Sequence, residues 1–134
     1  DSSEVLMLGC CSGWFSIIDA MCSLIQDHID IHSEYQKNLN RLVPSRHSFQ
    51  FKAQQVKEKF GCLKFYYEGG DERIAGVVKM AEKISLVTCQ FCGNPGTMTK
   101  EKTRFMTLCN ACRSGPYEEL ENDWNVTPHD EIIQ

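Results

Sequence analysis

From Trp14 onward the apolar residues recur at helical spacing: Trp14, Ile17, Ile18, Met21, Leu24 with Ile25, and Ile29. Ser16, Asp19, Ser23, Gln26 and Asp27 fill the positions between them. This pattern predicts an amphipathic helix that starts at Ser12 or Gly13 and runs past His32 and Tyr35 towards Leu42, where Pro44 stops it. Residues 1–13 carry no period and are expected to be irregular. In 48–56 the residues Phe49, Phe51 and Ala53 alternate with polar ones, and in 62–69 Leu63, Phe65 and Tyr67 alternate with Lys64 and Tyr66. Two strands are predicted around "KEKFG", with Gly61 suited to a turn or bulge and Gly69–Gly70 ending the second. Asp71 is a good N-cap for a second helix over about 72–86, whose stripe is Ile74, Val77, Val78, Ala81 and Ile84. Gly76 weakens that helix but permits close packing.

The fold class these elements predict is α+β: an N-terminal amphipathic helix, a β-hairpin, a second helix and a four-cysteine knuckle. At 134 residues the chain has room for one domain with a real core, at a size where a staple helps. Residues 1–116 are expected to form it, including a cysteine module at 88–115, with 117–134 as an acidic tail. No apolar run approaches the roughly 18 residues of a membrane span, so no membrane association is expected. The sequence begins at Asp1 rather than Met, which leaves a processed or truncated start open.

Charge is informative by segment. Residues 1–45 balance to −4, 46–78 to +2, 79–116 to +4 and 117–134 to −6. The cysteine module is therefore locally basic, through Lys100, Lys102, Arg104 and Arg113 among others. Its tail has six acids and no base. Such blocks serve either as solvated surface or as docking faces.

The eight cysteines carry the strongest chemical signal. Cys89-x-x-Cys92 and Cys109-x-x-Cys112 stand sixteen residues apart, whereas Cys10, Cys11, Cys22 and Cys62 are scattered. A two-residue gap lets one tight turn aim two thiolates at a single ion, and two such pairs complete a tetrahedron of soft ligands around Zn2+. Gly93 suits the left-handed turn of such a knuckle, and "RFMTLC" can form a strand delivering the second pair. All four positions filled by protein describe a structural zinc, since a catalytic one keeps a place for water. Metal thiolates of this kind fit a reducing, cytoplasmic compartment better than a disulfide framework. The scattered thiols read as core or bystander residues, and a second site pairing Cys10 or Cys11 with a histidine is the alternative. His28 and His32, one helical turn apart beside Asp27, Asp30 and Glu34, form either a metal edge or plain helix surface. His47 and His129 have no recognisable partners.

"LCNAC" after "CxxCG" resembles the second half of GATA-type DNA-binding fingers. Those continue into a basic helix and tail, whereas this chain continues "RSGPYEELENDW", which should repel phosphates. A longer resemblance joins "GWFSIIDAMCSLIQ", "QVKEKFGCLKFYYEG", "IAGVVKMAEKIS", "CQFCGNPG" and "LCNAC" over roughly residues 13–112. In that order they resemble a family of small phage- and prophage-encoded zinc-knuckle proteins, with Cys62 and Lys64 here where the family pattern has Gly and Arg. The resemblance implies a zinc-stabilised α+β domain and, for a phage protein, binding or inhibition of a host protein.

The expected function is thus non-enzymatic binding. Neither a deaminase, phosphate-loop, serine-elbow nor HNH-type signature can be assembled, and residues 88–115 contain no histidine. Candidate binding residues are Lys100, Lys102, Arg104 and Arg113 around the knuckle and Tyr117 and Trp124 in the tail. The alternative is a nucleic-acid-binding zinc finger, with Lys57, Lys59 and Lys64 adding charge and Phe60, Tyr66 and Tyr67 stacking on bases.

Overall fold

The computed structural model describes residues 7–42, 50–113 and 118–119, and it is α+β. Strand β1 (Met7–Gly9) leads through a 3-10 turn at Ser12–Trp14 into helix α1 (Phe15–Leu42). Strands β2 (Phe51–Lys59) and β3 (Cys62–Gly69) precede helix α2 (Glu72–Ser85). The chain then forms β4 (Thr97–Glu101), β5 (Arg104–Leu108), a 3-10 turn at Asn110–Cys112 and the short β6 (Glu118–Glu119). Among the described residues no helix is long and apolar enough to cross a membrane.

The first strand of the hairpin lies three residues further along than the alternation indicated, and the turn is correspondingly tighter. β2 and β3 pair antiparallel from Phe51↔Gly69 to Lys59↔Cys62, with a bulge between Ala53 and Gln55. Only Phe60 and Gly61 connect them, with φ of 54° and 78°. Positive φ at both central residues is the turn geometry whose twist matches a two-stranded ribbon. The Gly61 amide donates to Glu58 Oε1 at 2.8 Å, closing the turn. Contrary to the irregular start expected, Met7–Gly9 pair parallel with Gln55–Lys57, giving the order β1-β2-β3. Three residues are too few for hydrophobic periodicity to register.

Both helices cover one face of this sheet. Trp14, Ile18, Met21 and Ile25 from α1 and its leading turn meet Ile74, Val78 and Ala81 from α2 over Val56, Leu63 and Phe65. The anticipated stripes are correct in period but broader than the buried faces, since Leu24 and Ile84 stand exposed beside them. Asp71 caps α2 as expected, accepting from the Ile74 amide at 3.1 Å. Edge strand β3 is closed by α2 itself. The Leu63 amide donates to Ser85 Oγ at 2.9 Å and the Phe65 amide to Glu82 Oε2 at 3.1 Å. Two amides that would invite another strand are thereby satisfied inside the fold.

Candidate metal centre

The knuckle grows directly from the end of α2. Its first loop is folded back by the backbone: the Cys89 amide donates to Asn94 O at 2.7 Å, and the Gly93 amide to Cys89 O at 2.9 Å. Gly93 has a φ of 81°, which L side chains rarely adopt. Strand β5, held in register with β4 from Thr97↔Leu108 to Glu101↔Arg104, delivers Cys109. One 3-10 turn then carries Cys112 back, its amide donating to Cys109 O at 3.2 Å.

These turns bring the Sγ atoms of Cys89, Cys92, Cys109 and Cys112 within 4.8 Å of one another. Cys92 Sγ and Cys109 Sγ are 3.5 Å apart. Four thiolates bonded to one ion at about 2.3 Å define a tetrahedron with edges of about 3.8 Å, so the donor set fits a metal ion. Cys89 and Cys109 are buried, Cys112 is half-buried and Cys92 is exposed. Burial would raise the Cys89 thiol, but the amides of Cys109, Cys92 and Phe91 facing its sulfur outweigh that and bring it down to about 6. Cys112 is pushed up to about 12 by hydrogen bonding to Cys109, Cys92 and Cys89. The amides thus favour the charged form at Cys89, while the crowding of thiols disfavours it at Cys112. A divalent cation is the complement such a cluster requires, because it deprotonates the thiols that coordinate it.

The cluster is fixed to the body by residues that the cysteine spacing does not reveal. The Gly13 amide donates to Gln90 O at 3.0 Å, and a Cβ on Gly13 would lie 2.2 Å from Cys89 O. Trp14 Nε1 donates to Thr88 O at 2.9 Å. Gln90, between the first two ligands, is fully buried; its side-chain carbonyl accepts from the Thr107 amide at 3.0 Å, while its own amide donates to Thr107 O at 2.9 Å. Thr107 Oγ1 in turn donates to Gly61 O at 2.6 Å, seating the hairpin tip on β5. The GWF stretch was legible as a helix start, but a buried glutamine inside a ligand pair looks like any exposed spacer.

The other candidate residues are dispersed. Arg104 lies 3.3 Å from Glu58 across to the hairpin, and Arg113 Nη2 donates to Thr97 Oγ1. Lys100 pairs with Glu118 of β6 on one side and Phe105 on the other. Lys102 occupies the β4–β5 turn with a φ of 55°. Tyr117 and Trp124 lie outside the described residues, as do His47 and His129. His28 Nε2 is 2.6 Å from Asp71 Oδ2, and this bond, ahead of that from the Ile74 amide, holds the Asp71 carboxyl below its ordinary value. The imidazole therefore ties the middle of α1 to the cap of α2. Cys62 is buried against Ser85 and Glu82 O, and burial pushes its thiol up to about 12, as befits a core thiol. Among the described residues, the four knuckle cysteines form the one group of three or more ligating side chains placed to share an ion. Compared with protein-family models, with curated proteins and with solved structures, the chain finds no match in any of the three.

Proposed function

We propose that this protein is a zinc-stabilised, non-enzymatic binding domain whose partner is a protein, in keeping with the phage-family resemblance a host protein. The observation that carries this reading is the convergence of four protein sulfurs within 4.8 Å. With every coordination position taken by cysteine, the ion would hold structure and leave no place for a reacting water. Bound zinc supplies four metal–sulfur bonds and offsets the charge of four thiolates. The chain supplies the amides that prepare Cys89, the glycine that turns the first pair and the strand that presents the second. Exposed Phe15, Val87 and Phe91 belong to the segments that meet at this joint, and a rigid knuckle would present them at low entropic cost. The four knuckle cysteines converge as a group that could share one ion, and metal thiolates of this kind suit the reducing cytoplasmic setting proposed for the chain.

A second reading, nucleic-acid binding, is favoured by one feature of the sheet. Lys57 and Lys64 pair directly across β2 and β3, with both ammonium groups over the Tyr66 ring at 5.6 and 5.7 Å. Capture from bacterial lysate on the metal-loaded chain, with and without nuclease, separates the two. A specific protein retained after nuclease, together with one zinc per chain by elemental analysis, is expected. Loss of all captured material after nuclease would overturn the protein-partner reading.

A further inference from the structure

Each helix carries a second apolar stripe beside the one that faces the sheet. On α1 it runs through Ile17, Ala20 and Leu24, and on α2 through Val77, Met80 and Ile84. Between them lies an open groove of about 370 Å³. Leu24 is 56% exposed, Met80 66% and Ile84 40%. Along α1 the stripe continues at helical spacing to Ile31, 68% exposed, and Tyr35, 61% exposed. A helix needs one stripe to cover a sheet; a second, solvent-facing one calls for another layer.

The charges flanking the groove indicate what that layer is. The helices are antiparallel, since residues 17–24 line the groove opposite 77–84 while His28 bonds Asp71 at the start of α2. Over the length it shares with α2, the α1 side is acidic: Asp19 and Asp27 are exposed and no base is present, while Asp30 and Glu34 lie beyond the start of α2, with Lys37 and Arg41 exposed further along. The α2 side is net basic: Arg73 and Lys79 are exposed and Lys83 is half-buried, against one outward acid, the exposed Glu72; Asp71 is engaged by His28, and Glu82 is turned inward to the Phe65 amide. A two-fold axis parallel to the helices would place α1 of one copy over α2 of the other. Over the length the two helices share, both apolar stripes would then be covered, and Asp19 and Asp27 would face the turns that carry Lys79, Lys83 and Arg73. A two-fold perpendicular to the helices would oppose acid to acid. Complementarity of a surface with itself under one rotation is the requirement of a closed, isologous contact.

We propose that this face is the contact of a symmetric dimer, in which a second copy of the chain completes a two-layer bundle of four helices. This inference is independent of the metal and of any host partner. The test uses the full, metal-loaded chain in sedimentation equilibrium over a concentration series. The expected species has twice the 15.3 kDa chain mass. Leu24→Glu and Met80→Glu each place a charge on a side chain already largely in solvent, so an unchanged circular-dichroism spectrum and conversion to monomer are expected. Reversing the acidic bank (Asp19→Lys with Asp27→Lys) or the basic bank (Arg73→Glu with Lys79→Glu) should each weaken self-association at least about tenfold. Mixing the two reversed chains should restore the dimer. A monomer throughout the series would overturn the proposal, as would a dimer indifferent to Leu24→Glu or reversed chains that fail to pair. A dimer of reversed chains only when mixed would also fix the direction of the two-fold axis.

Discussion

The helix–sheet body buries ten side chains in one cluster, from Trp14 and Ile18 to Val78 and Ala81. The knuckle beyond it buries Met106 and Leu108 together with Cys89 and Cys109, two of its own metal ligands. A cluster that small cannot offset the ordering of some two dozen residues at about 1–2 kcal/mol each for the backbone alone. The body can hold itself by apolar burial, whereas the knuckle needs bonds to an ion. Five substitutions put that contrast to the test.

The largest effect should come from the ligands. Cys89→Ser or Cys112→Ser is expected to abolish stoichiometric zinc and to unfold the knuckle, since the free energy of binding structural zinc, about 10–16 kcal/mol in zinc-finger peptides, is also folding free energy. Hydrogen exchange should find amides of 89–112 unprotected while those of α1 and β3 stay protected. A fully folded, zinc-free variant would show that the knuckle stands without metal. Trp14→Ala attacks a core side chain of the body that also bonds to the knuckle. It removes a fully buried indole and its bond to Thr88 O, at an expected cost of about 3–5 kcal/mol in urea unfolding. Unlike the cysteine variants, it should lower protection in both regions.

Gly13→Ala should be smaller, about 1–3 kcal/mol, because a methyl 2.2 Å from Cys89 O must push two backbones apart. Here zinc should be retained and the joint alone loosened, read as increased exchange of the Gly13 and Thr107 amides. The mildest change, Glu82→Gln, concerns the body only. Burial raises the Glu82 carboxyl, partly offset by the Phe65 amide, Lys64 and Lys79. A folded value above the unfolded one gives stability that is complete below the unfolded pKa and lost as pH rises through the folded one. Glutamine keeps an acceptor for Phe65 without that titration. Stability should change by about 1 kcal/mol or less at neutral pH, and the decline just above the ordinary carboxylate range should flatten in a pH series of denaturation curves.

The same contrast explains what the sequence made legible. Helix α2 and its Asp71 cap, the hairpin and the four-cysteine cluster are local patterns, written in spacings of two, three or four residues. What stayed hidden is the joining of parts distant along the chain: β1 beside β2, Gly13 against Cys89, Gln90 locked to Thr107. Each rests on a close approach or a backbone hydrogen bond, which leaves no periodic trace. The acidic–basic banks of α1 and α2 were visible as charges, but not as neighbours, until the antiparallel packing placed them on one face.

The indole of Trp14 and its acceptor, Thr88 O, are 74 positions apart. Ribosomes extend a chain at about 5–20 residues per second, so roughly 4–15 s pass between synthesis of the tryptophan and of its partner. Through that interval the start of the first helix lacks the acceptor of its indole, and the Gly13 amide lacks the Gln90 carbonyl that receives it. Closing that span forfeits loop entropy in a single step, and the bond that closes it ties the start of the first helix to the threshold of the knuckle.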